Sequence, residues 1–105
     1  MRQFETLLLF SPELSAENRE GLIKSIAAII ERDGGKLEEI DQWGMRDLAY
    51  PVRKQMRGYY VRLVFSGPPQ LVAELERNLR ITDGLFKFLT VRLDESSDSA
   101  QEEVA

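Results

Sequence analysis

Apolar residues recur along this chain in two periods. From Gln3 to Phe10 they are spaced as Phe4, Leu7, Leu8, Leu9 and Phe10, which predicts a strand ended by Ser11-Pro12. Beyond Ser15, Leu22, Ile23, Ile26, Ala27, Ile29 and Ile30 return at helical spacing and predict an amphipathic helix to about Asp33. Ser15 is placed to cap that helix, and Glu17 and Glu20 suit its positive end. Gly34-Gly35 then reads as a stop signal, because glycine accepts the left-handed conformation at a helix end. Lys36–Trp43 reads as a second strand, whose many charges suit a sheet edge. Glu38 and Glu39 within it should point to opposite faces, which argues against a paired acid/base site. Tyr59–Phe65 alternates as a third strand. Gly67-Pro68-Pro69 opens a second helix with Leu71, Val72, Leu75 and Leu79 on one face. Asp83-Gly84 turns into a fourth strand, Leu85–Leu93.

The order β-α-β-β-α-β predicts an α+β, ferredoxin-like split βαβ fold, a four-stranded antiparallel sheet with two helices on one face. Alternation assigns Glu5, Leu7 and Leu9, then Tyr60, Arg62 and Val64, then Lys87, Leu89 and Val91 to the uncovered face. Charges mixed with large apolar groups make that face a candidate docking surface for a partner protein, through Leu7, Leu9, Tyr60, Val64, Leu89 and Val91. Scattered surface leucines need no partner, so the pattern alone leaves both readings open.

Composition changes the picture in two places. The 105 residues, 43% of them hydrophobic, suffice for one domain, assigned to 1–93. Residues 94–105 are almost devoid of apolar side chains and are expected to form an acidic disordered tail. Five of the 18 acidic residues lie in that tail, leaving 13 against 14 basic residues in the domain, a net charge of +1. The overall charge of −4 therefore belongs to the tail, and the near-neutral body can still carry a basic patch. The chain has no cysteine and no histidine. That excludes disulfides, thiol nucleophiles and histidine acid/base chemistry, and argues against a zinc site. It fits a reducing cytosol. No phosphate-cradling glycine loop occurs, and no apolar run is long enough to span a bilayer, so neither a cofactor nor a membrane role is expected.

The basic patch has a clear candidate. Between Gly44 and Leu63 stand Arg46, Arg53, Lys54, Arg57 and Arg62 against Asp47, interleaved with Tyr50, Tyr59 and Tyr60. Tyr50-Pro51 favours extended backbone, since the residue before proline disfavours the helical region. The segment therefore looks like a hairpin arm. Arginine and lysine bind phosphate and tyrosine stacks on bases, which suggests RNA contact. A solvated loop beside an ordinary core strand fits the same composition.

At Gly44, Arg46, Leu48-Ala49-Tyr50-Pro51 and Gly58-Tyr59 the sequence strongly resembles the bacterial small-subunit ribosomal protein six family. The opening Met1-Arg2-x-Phe4-Glu5 and the segment from Glu74 through Arg77, Leu79-Arg80-Ile81 and Asp83 match it too. The resemblance spans residues 1–93. It implies a cytoplasmic, non-enzymatic constituent of the small ribosomal subunit with the split βαβ fold. It implies pairing with small-subunit ribosomal protein eighteen and joint binding to the central domain of the small-subunit ribosomal RNA. Carried over by position, it places Arg2, Arg46 and Arg92 near phosphates. In the split βαβ topology the first and last strands are antiparallel neighbours, so Arg2 and Arg92 can sit at one end of the sheet, and the three arginines are expected to cluster. Tyr50 is left either to stack on a base or to anchor the arm. Asp47 departs from the family pattern, which often has a second base there. The alternative class is a ferredoxin-like homodimeric small-molecule regulatory module. It would need a glycine-rich ligand loop, for which Gly34-Gly35 is the candidate.

Overall fold

A computed structural model describes residues 2–93. Six elements follow in the expected order: β1 (Arg2–Phe10), α1 (Ala16–Arg32), β2 (Lys36–Val52), β3 (Gln55–Gly67), α2 (Pro69–Arg80) and β4 (Leu85–Leu93). All pairings are antiparallel, in the strand order β2-β3-β1-β4. The fold is the ferredoxin-like split βαβ. The expected acidic tail, 94–105, lies outside the described residues.

Register follows from burial. Phe4, Leu8 and Phe10 of β1 alternate towards the helices and meet Val61, Leu63 and Phe65 of β3. Ile23, Ile26 and Ile30 of α1 and Leu71, Leu75 and Leu79 of α2 close the core from above. Leu22, Ile29 and Val72, expected on the same helix faces, pack at its margin, and Ala27 is half-buried. Thr6 is fully buried on the core side. Its hydroxyl lies 2.9 Å from that of Thr90, directly opposite on β4, so each satisfies the other.

Local signals start and stop the elements. The Asn18 N–H donates to the Ser15 hydroxyl at 3.0 Å, which caps α1. Pro69 occupies the first turn of α2, where its missing N–H costs nothing. The two glycines after α1 do different work. Gly34 has φ +89°, the left-handed conformation that ends the helix. Gly35 permits close packing: a Cβ there would lie 2.4 Å from Leu71 Cδ2 and 2.8 Å from the Ser66 carbonyl oxygen.

Two expectations need correction. The second and third strands are longer than Lys36–Trp43 and Tyr59–Phe65, because the expected hairpin arm is part of the same two strands, which run on to Val52 and from Gln55. Beyond the end of β1 no core sits beneath them, so they carry no alternation for a sequence reading to detect. Pro51 is tolerated there because the ladder is already interrupted between Asp47 and Val52, on an edge strand. Glu38 and Glu39 do not face opposite ways. A bulge between Leu37 and Glu39 breaks the alternation. Glu38 accepts from Gln3 at 2.6 Å and Glu39 from Arg62 at 3.3 Å, and both partners lie on the uncovered face.

The packing predicts opposite outcomes at two glycines. Gly35→Ala should destabilise the domain by about 1–3 kcal/mol, because the added methyl meets backbone oxygen. Gly21→Ala, on an exposed turn of α1 with nothing within 4 Å of the new Cβ, should stabilise it by about 0.5–1 kcal/mol. Thermal unfolding of both variants checks the pair of signs.

Candidate partner and RNA interface

The uncovered face divides into a charged half and an apolar half. In the charged half, Arg62 forms ion pairs with Glu5 and Glu39. The Glu5 hydrogen bond is the main cause holding the Arg62 pKa above its ordinary value, and the charges of Glu5, Glu39 and Asp41 add to it. Three carboxylates thus surround one guanidinium, leaving this patch net negative. Nearby, hydrogen bonds from Ser66 and then Gln3 hold the Glu38 carboxyl below its usual range. Asp41 also accepts from Trp43 Nε1 at 3.0 Å, which orients the indole 6.3 Å from the Tyr60 ring.

In the apolar half, Leu7, Leu9, Tyr50, Tyr60, Lys87, Phe88 and Leu89 line a recess of about 190 Å³. The six residues expected to dock a partner do share this face, yet they are unequally available. Leu9, Val64 and Val91 are buried within the chain itself. Leu9 lies against Gly58, where a Cβ would come within 2.2 Å of its Cδ1. Val64 and Val91 flank Glu5 in register, beside the Arg62 ion pair. The open apolar surface is Leu7, Tyr60 and Leu89, the last 48% exposed. Trp43, which the pattern did not single out for docking, adds to it at 41% exposure.

Tyr50 is an anchor of the arm. Lys87 Nζ donates to its hydroxyl at 2.9 Å and lies 4.8 Å from its ring centroid. This contact draws the arm across the uncovered face to the far edge strand. Arg53 adds a second contact to the same strand, 5.7 Å over the Phe86 ring. The Lys87 hydrogen bond, followed by its charge, holds the Tyr50 phenol below its ordinary pKa. Nothing in the sequence pairs residues 37 positions apart; only the register of β4 against β1 and the length of the arm bring them together.

The expected RNA-contact residues fall into two groups. Arg92 stands opposite Phe4, and Arg2 lies one step along the same pleat, so the two share one face at one end of the sheet. Arg46 stands opposite Gly58, nine residues along β3 from the Arg2 row, or roughly 30 Å of strand. The expected cluster of three is therefore a pair and an outlier. Arg46 donates from Nε and Nη2 to the Trp43 carbonyl, at 3.3 and 3.2 Å. That fixes one edge of the guanidinium and leaves its Nη1 donors for a further acceptor. Asp47 forms an exposed cross-strand ion pair with Arg57 at 3.1 Å, which aligns the arm and contributes about 0–1 kcal/mol.

A four-stranded antiparallel sheet with both helices on one face and the other face uncovered defines a protein of the split βαβ class. Comparison with known proteins makes the assignment specific. The family model described as Ribosomal protein S6 matches residues 3–92. The small ribosomal subunit protein bS6 of Desulfovibrio desulfuricans is 69% identical over the full length of both chains. That of Nitratidesulfovibrio vulgaris strain Hildenborough is 60% identical, again over both full lengths. The crystal structure of 30S ribosomal protein S6 from Thermotoga maritima superposes with a TM-score of 0.86 at 28% identity, covering 99% of this chain and 98% of that one. The chain belongs to the ribosomal protein S6 family, and it is a ribosomal protein, not an enzyme.

The Tyr50–Lys87 contact predicts a spectroscopic signature. One of the three tyrosines should ionise below the usual value of about 10. In Lys87→Met that titration should move up, because the cation that favours the phenolate is gone. Absorbance at the phenolate band against pH, wild type beside variant, checks the direction.

Proposed function

We propose that this chain is a structural constituent of the small ribosomal subunit in the cytoplasm. In this reading it binds the central domain of the small-subunit rRNA together with ribosomal protein eighteen. The observation that carries the protein half is the uncovered face, where exposed Trp43 and Leu89 and half-buried Leu7 and Tyr60 adjoin the net negative patch around Arg62. Such a surface complements a basic partner. The RNA half rests on family membership and on the Arg2–Arg92 end of the sheet, where planar guanidinium forks can hold phosphate oxygens.

The charge balance argues for joint rather than solitary binding. A body of net charge +1 releases few counterions, and an acidic tail repels phosphate. A basic partner docked on the uncovered face would supply the missing phosphate contacts, and two linked surfaces then bind more tightly than either alone. The regulatory-module alternative loses its ligand loop, since Gly35 is packed against Leu71 and backbone.

Titration of a central-domain rRNA fragment with this protein, with and without protein eighteen at physiological salt, tests the reading. Weak binding alone and tight binding with the partner are expected. Tight binding alone, unaffected by the partner, would overturn it. In the joint complex, Arg2→Ala or Arg92→Ala should each lower the log–log salt slope by about 0.7–0.9. Fold stability should stay within about 0.5 kcal/mol.

A further inference from the structure

The turn at the tip of the arm is occupied by residues that its backbone does not favour. Val52 pairs with Gln55, so Arg53 and Lys54 form a two-residue hairpin loop. Both have positive φ, 51° and 66°. That pattern matches the right-handed twist of a hairpin, and Asn-Gly or Gly-Gly adopts it at least cost. Two long cationic side chains stand there instead. Strained backbone of this kind concentrates where side chains have a task.

The surroundings define the task. Both side chains are exposed. Lys54 has no ion pair or hydrogen bond among the described residues, and Arg53 lies over the Phe86 ring rather than beside a carboxylate. A guanidinium stacked on a ring keeps its in-plane donors for an acceptor. The nearest acid in the arm, Asp47, is taken by Arg57. Between Gly44 and Gly58 four bases face that single acid, so the tip is the most cationic part of a nearly neutral body. The Tyr50–Lys87 contact holds it in place.

We propose that the Arg53–Lys54 turn binds RNA backbone phosphate, as a second contact region at the opposite end of the sheet from Arg2 and Arg92. This rests on the RNA-binding reading above and extends it: the protein touches RNA at both ends of the sheet, so its footprint is bipartite. A phosphate contact carries no base specificity and fixes register instead. Two such contacts at a distance would fix the orientation of the domain on the RNA.

The test exploits the strain. Arg53→Asn/Lys54→Gly removes both cations while installing the sequence that the turn prefers, so the thermal midpoint should hold or rise. Arg53→Gln/Lys54→Gln serves as a second variant that keeps side-chain length. Each is titrated onto the central-domain rRNA fragment with protein eighteen present, over a range of salt, beside Arg2→Ala as the control. The expected result is weaker binding at low salt and a log–log slope lower by about 1.4–1.8, the sum for two phosphates. An unchanged slope in both double variants, with Arg2→Ala lowering it, would overturn this proposal and leave RNA binding at the other end intact. Unchanged slopes in all three would count against the RNA reading itself. Weaker capture of the partner protein without RNA, at an unchanged RNA slope, would also overturn the proposal by making the turn a protein contact.

Discussion

The register of β1 between β3 and β4 is the constraint on which the molecule depends. Leu8 stands opposite Val61 on one side and Phe88 on the other. A slip of one residue would turn Phe4, Leu8 and Phe10 out and drive Glu5 into the core. Burial of a side chain of this size contributes roughly 1.5–3 kcal/mol, so three lost at once would exhaust much of a small domain's stability. The same register fixes the uncovered face. It sets Glu5 between Val64 and Val91, and Leu7 beside Leu89, so the core and the uncovered face follow from one register.

The uncovered face carries less open apolar surface than its sequence suggests. Leu9, Val64 and Val91 are already buried by intrachain neighbours. The remaining apolar surface is bounded by the Arg62 ion pairs on one side and by Lys87 on the other. Charged borders discourage indiscriminate sheet pairing. Arg62 is only partly exposed, so its pairing with Glu5 is screened less than a fully solvated ion pair.

The arm solves a different problem. A hairpin that leaves the sheet has no core to fix it, and a two-stranded ribbon is marginally stable alone. Here it is tied back by one hydroxyl, one ammonium and one guanidinium–ring contact. The contacts are few and exposed, so the arm is among the less firmly held parts of the described chain. The bulges along β2 belong to the same design. One lets Glu38 and Glu39 face the same way, and another lies beside the Trp43 carbonyl that Arg46 holds.

Much of this was legible in the sequence. The periods of Ile23, Ile26 and Ile30 and of Leu71, Leu75 and Leu79 placed both helices, and capping and turn residues bounded them, because these are local effects of spacing and backbone preference. Alternation in β1, β3 and β4 assigned the faces correctly for the same reason. The family was readable from short motifs such as Leu48-Ala49-Tyr50-Pro51. What alternation could not supply was anything that depends on its interruption: the bulge at Glu38, the run-on of β2 to Val52, and the distance between Arg46 and the Arg2–Arg92 pair. Nor could spacing reveal which apolar residues of the open face the chain covers for itself, or that Tyr50 meets Lys87. Those are contacts between residues far apart in sequence, and only the tertiary packing of the arm against the far edge strand decides them.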